Sequence, residues 1–78
     1  MRIAVTYQYG QIFQHFGHTE QFKIYDVQNG KIISSSVVDT NGSGHGALSG
    51  VLSALGVNVL ICGGIGGGAQ MALAQAGI

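Results

Sequence analysis

Apolar and polar positions alternate from Arg2 to Tyr7, with Ile3 and Val5 on one face, and this period of two predicts a first strand. Gln8 to Glu20 reads as a polar loop with Ile12, Phe13 and Phe16 inside it. Gln21 to Val27, with Phe22, Ile24 and Tyr25 as β formers, predicts a second strand. Asn29-Gly30 marks a two-residue hairpin, because both residues tolerate positive φ. Lys31 to Val38 is then a third strand, antiparallel to the second. After a loop at Asp39 to Gly44, Leu48, Val51, Leu52 and Leu55 repeat at helical spacing, so Ala47 to Leu55 predicts a helix that Gly56 stops. Val57 to Cys62 is an apolar run, β-branched at three of six positions. It reads as a strand buried on both faces, as in a parallel sheet. A glycine run follows, then a second helix from Ala69 to Ala76, with Ala72, Leu73 and Ala76 inward and Gly77 at its end.

The order is β-β-β-α-β-α. A helix followed by a buried strand implies a parallel crossover. The first, third and fourth strands then point the same way, and their outgoing loops, Gln8–Glu20, Asp39–Gly46 and Gly63–Gly68, share one edge. Ligands of open α/β sheets favour the carboxyl ends of strands. His15, His18, His45 and the glycine run all fall in these loops. The chain stops where a further strand would be natural, so the expectation is one domain over 1–78, C-terminally truncated.

Composition narrows the possibilities. A chain of 78 residues buries roughly 60% of its unfolded surface and has a thin core. Three basic and three acidic side chains cancel, which leaves no basic face for nucleic acid. No apolar stretch approaches the roughly 18 to 20 residues of a membrane span, and the N-terminus lacks the layout of a signal peptide. A single cysteine forms no internal disulfide and fits a reducing cytoplasm. Fourteen glycines exceed the roughly five that average usage gives. They gather at Gly42-Ser43-Gly44-His45-Gly46 and at Gly63-Gly64-Ile65-Gly66-Gly67-Gly68.

Each candidate has two readings. His15 and His18 are neutral metal ligands three positions apart, or solvated loop side chains. His45, between two glycines at a helix start, is a ligand kept neutral by the helix dipole, or a turn residue. Ser43 is a candidate cap. The glycine run before a helix offers free N–H groups to an anion, or serves tight helix–strand packing. Its spacing matches a dinucleotide fingerprint only in part, and no Lys-Ser/Thr follows, so it is not a P-loop. Cys62 is a buried thiol or a soft ligand at the strand tip. Glu20, Asp26 and Asp39 form no pair placed for acid–base work, so the chain is expected not to be an enzyme.

The strand Ile3-Ala4-Val5, the loop His15-Phe16-Gly17-His18 leading to Phe22-x-Ile24-Tyr25, and Ile61-Cys62-Gly63-Gly64-Ile65-Gly66 leading to Ala69 and Leu73-Ala74-Gln75-Ala76-Gly77-Ile78 together resemble the dinitrogenase iron–molybdenum cofactor biosynthesis family. The resemblance implies a ribonuclease-H-like, three-layer α/β fold with strand order 3-2-1-4-5, here without the last strand and helix. It also implies carriage or storage of the iron–molybdenum cofactor, its precursor or another metal–sulfur cluster, inside or outside nitrogen fixation, with donor and acceptor proteins as partners. The expected site combines metal ligands His15, His18 and His45 with the backbones of Gly17, Gly63, Gly64, Gly66, Gly67 and Gly68. Two other readings stand beside it. One is a nucleotide or small-anion module using the glycine turn alone. The other is a regulatory or interaction fragment whose open sheet edge pairs with another chain, including a second copy.

Overall fold

The N-terminal alternation becomes β1 (Arg2–Gln8), and the sheet is arranged around it. The computed structural model describes residues 1–41 and 45–78, and of 45 and 46 the backbone only. β1 turns through Tyr9 and Gly10 into a two-residue strand, β2 (Gln11–Ile12), which pairs with Tyr7 and Gln8. A single 3-10 turn follows at Phe16–His18. β3 (Gln21–Gln28) and β4 (Lys31–Asp39) form the hairpin. Its turn has φ of 53° at Asn29 and 75° at Gly30, as the right-handed twist of the strands favours. After α1 (His45–Ala54) come β5 (Val59–Ile61) and α2 (Gly67–Gln75).

Ile3, Ala4 and Val5 pair with both β3 and β5, antiparallel to the first and parallel to the second, so these strands flank β1. β4 lies outside β3, antiparallel to it. β1, β4 and β5 therefore run in one direction, and their outgoing segments do share an edge. The expected loop at Gln8–Glu20 is more structured than its polar composition implied. Tyr9 takes a φ of 50° and Gly10 one of 80°; positive φ is uncommon for a tyrosine, so Tyr9-Gly10 lacks the Asn-Gly pairing that marks the second hairpin.

One hydrophobic cluster holds the fold. Ala4, Phe22 and Ile24 from one face of the sheet meet Leu48 and Leu52 of α1, Leu73 of α2, Phe16 and Val57. Leu48 and Leu52 lie one helical turn apart and are fully buried, each stabilising by about 1.5–3 kcal/mol. Because both helices join this one cluster, the described residues make two layers, not the three expected. The same fact corrects the reading of β5 as buried on both faces. Leu60 packs on the cluster, while Val59 and Ile61 are 37% and 44% exposed on the other face. An apolar run reads the same whether one face is covered or two. In α2, Leu73 is buried and Ala72 half-buried, but Ala76 is exposed, since it caps a helix that has already ended at Gln75.

At the edge opposite the loops, Arg2 Nε donates to Asp26 Oδ1 at 2.7 Å, and Ser34 Oγ donates to Asp26 Oδ2 at 3.0 Å. The hydrogen bond from Arg2, then that from Ser34, holds the Asp26 carboxyl below its ordinary value of 3.8. Since the folded value lies below the unfolded one, this contribution is whole above pH 3.8 and is lost as pH falls through the depressed folded value. Urea denaturation across that acid range should show a shallower loss of stability in Asp26→Asn than in the parent. Superimposable acid limbs would remove the pair from the account.

Candidate functional site

Three segments leave the sheet at one edge, and hydrogen bonds stitch them together. Thr40, just after β4, donates its amide to the Glu20 carbonyl at 2.9 Å. Its hydroxyl lies 3.1 Å from the carbonyls of both Thr19 and Glu20. On the other flank the Gly64 amide donates to the Gln14 carbonyl at 2.7 Å, and the Phe16 amide donates to the Gly64 carbonyl at 3.0 Å. His15 and Gly64 thus form a parallel bridge outside the main strands. The first loop is fastened on one side to the exit of β4 and on the other to the exit of β5.

Phe16 anchors this loop. It is 1% exposed, and its ring centre lies 6.4 Å from that of Phe22. Burying Phe16 leaves its neighbours outside: His15 and His18 are exposed and Gly17 is half-buried. The two histidines have different surroundings. His15 sits at the seam with Gly64 and makes an edge-on contact with Phe13, ring centres 6.1 Å apart. His18 lines a hollow with Glu20 and Asp39, and that hollow does not reach the glycine run. The backbone of His45 opens α1, while its side chain, and the candidate cap Ser43 with Gly42 and Gly44, lie outside the described residues. Among the described residues no three His, Cys, Asp or Glu side chains gather closely enough to hold a metal ion.

The glycine run divides into two parts. A Cβ on Gly63 would lie 2.6 Å from Gln14 Cα and 3.0 Å from the Gln14 carbonyl oxygen. One on Gly64 would lie 3.1 Å from that same oxygen. These two glycines allow a loop to lie against the end of β5, which is strand–loop packing where the sequence led us to expect helix–strand packing. Gly66, Gly67 and Gly68 have open space where a Cβ would stand, and none has a positive φ. Gly66 caps α2 without any side-chain hydrogen bond, and no acidic residue occupies the first turn. The first N–H groups of a helix have no partner within it, so a bare, positively polarised backbone faces outward beside the His15 seam.

Cys62, between β5 and this run, packs partly against the core, and burial pushes its thiol pKa up. That favours the inert reading over a thiolate ligand. Gln14 and Thr40, which hold the edge together, carried no signal in the sequence, because Gln14 acts through its main chain and Thr40 through contacts with residues about twenty positions away.

The comparisons agree with this architecture. The chain superimposes on the crystal structure of PH0822 with a TM-score of 0.95, at 25% identity, over all of this chain and 72% of that one. It is 35% identical to the uncharacterized protein MJ0580 of Methanocaldococcus jannaschii over 83 aligned positions, which span all of this chain and 70% of the relative. The family described as dinitrogenase iron-molybdenum cofactor matches residues 1–78, and the chain belongs to it.

Proposed function

We propose that the protein is a non-enzymatic carrier of an anionic metal–sulfur cluster, such as the iron–molybdenum cofactor or a precursor. The observation that carries this reading is the bare glycine backbone at Gly66–Gly68, which begins two positions after the Gly64 that bridges to His15. Glycines there serve neither a turn nor a close packing contact, yet they open the N-terminus of a helix. Unencumbered N–H groups at such a place suit a cluster with net negative charge and sulfide acceptors. His15 adds a labile bond to metal. His18 and His45 complete the proposed ligand set, and Gly17, Gly63 and Gly64 supply backbone close to it. A carrier must also release its cargo, which a small ligand set favours.

Membership of the family fits an accessory role, and the carboxylates give no reason to prefer catalysis, since Asp26 lies at the opposite edge, bonded to Arg2. The neighbours β4, β3, β1 and β5 follow the first four places of a 3-2-1-4-5 order, which supports the ribonuclease-H-like reading. Cytoplasmic residence, donor and acceptor proteins, and a single domain over 1–78 belong to the same proposal. Among the described residues no helix is long and apolar enough to cross a membrane.

Anaerobic titration with isolated iron–molybdenum cofactor, followed by metal analysis of the protein fraction, tests the reading. Binding should be saturable, and a variant with His15, His18 and His45 all changed to alanine should bind on the order of tenfold more weakly, about 1.4 kcal/mol. Unchanged affinity in that variant would refute the ligand assignment. Thermal stabilisation by nucleotide with none by cluster would replace the proposal with a nucleotide-binding module.

A further inference from the structure

Two of the chain's three carboxylates, Glu20 and Asp39, line the same hollow at the loop edge, together with Tyr7, Tyr9 and Phe13. Gln8, Gln21 and His18 complete its wall. The third carboxylate, Asp26, is paired with Arg2, and that is the one ion pair within 4.0 Å among the described residues. Neither lysine forms an ion pair with Glu20 or Asp39. Lys31 begins β4, at the strand end remote from Asp39. Lys23 Nζ sits over rings, 5.7 Å from the centre of Tyr7 and 5.4 Å from that of Tyr25. In a chain with only six formal charges, two negative ones therefore have no salt-bridge partner among the described residues and lie beside three aromatic rings. One of those rings, Tyr7, already holds an ammonium group against its face.

Aromatic faces and carboxylates together recognise organic cations: the rings attract the charge by their quadrupole, and the carboxylates accept its N–H groups. The hollow measures about 270 Å³, just under the range of roughly 300–1,000 Å³ for drug-sized ligands. That space suits one cationic group. We propose that this hollow is a binding site for an organic cation, a guanidinium or alkylammonium group, separate from the glycine backbone that faces anions. The group arrives as a free small molecule or as an arginine or lysine side chain of another protein; the recognition chemistry is the same. This inference does not depend on cluster carriage.

Amide chemical shifts of the wild-type chain, followed by NMR during titration with tetramethylammonium and with argininamide, test it. Saturable shifts are expected at Gln8, Tyr9, Glu20 and Gln21, with tert-butanol and potassium chloride leaving them in place. A Glu20→Gln/Asp39→Asn variant should bind about tenfold more weakly. Asparagine at 39 keeps the oxygen that accepts the Asn41 amide at 2.6 Å, so the fold is retained. Tyr9→Asn removes a ring that is 92% exposed and keeps a residue at ease with positive φ. It should weaken binding several-fold without loss of stability. A glycine-flanked arginine peptide that binds at least ten times more tightly than argininamide identifies a protein side chain as the source, and equal affinities identify the free cation. Shifts produced equally by tert-butanol or potassium chloride, unchanged affinity in the carboxamide variant, or no saturable shift at all would overturn the proposal.

Discussion

Phe16→Ala is expected to remove about 3–5 kcal/mol of stability, the usual cost of deleting a fully buried aromatic ring. A domain of 78 residues has roughly 4–12 kcal/mol in total, so the variant should be substantially unfolded if the parent lies near the bottom of that range and measurably weakened otherwise. The ring is 1% exposed and packs on Phe22, itself fully buried. Its loss leaves a cavity between the first loop, the sheet and the helices, which share the cluster with it. The consequence reaches the site directly. Phe16 follows His15 and opens the 3-10 turn that ends at His18, and its amide donates to the Gly64 carbonyl. Without the ring, little holds this loop at the sheet edge beyond the two seams. Equilibrium urea denaturation measures the loss. Phe16→Leu, which keeps most of the volume, should cost far less. Equal, small effects for both would mean that the loop is held by its hydrogen bonds alone.

In the sequence Phe16 stands out only as a large apolar residue inside a polar loop; its burial against Phe22 makes it the anchor. The strands were legible from the sequence itself. Ile3 and Val5 alternate, and Asn29-Gly30 announces its own turn chemistry. Strand directions then followed by logic, and they correctly brought three loops to one edge. What the sequence does not carry is which faces are covered. Val59 and Ile61 look like core residues by composition, yet they lie on a face that neither helix reaches. Nor does it carry contacts made by main chain. Gln14 approaches Gly63 through its Cα and carbonyl, so no side-chain type marks the place. The same blindness made the glycine run look uniform, and it grouped His15 with His18 although the fold gives one a glycine seam and the other an acidic hollow. His45 joined them through the loop edge it occupies, but its side chain falls outside what the structure describes.

The two halves of that glycine run should respond to alanine with opposite signs. Gly63→Ala is expected to destabilise by about 2–3 kcal/mol, the range for overpacking against atoms that cannot yield. The obstacle is main chain, since the added Cβ would stand 2.6 Å from Gln14 Cα. Relieving it means parting the loop from the end of β5, and with it the Gly64–Gln14 and Phe16–Gly64 hydrogen bonds. Gly68→Ala meets nothing within 4 Å and has no positive φ to give up. Placed in the first turn of α2, it should stabilise by about 0.5 kcal/mol, because alanine loses less backbone entropy than glycine in a helix. Under the carrier proposal it also puts a methyl group over the N–H groups that the cargo must approach. Gly68→Ala should therefore be more stable than the parent in urea and yet bind cluster more weakly, a combination that a purely structural role for this glycine does not produce. If the variant gained stability and kept full affinity, the bare backbone at Gly66–Gly68 would not be where the cluster sits, and the proposed site would have to move toward the histidines.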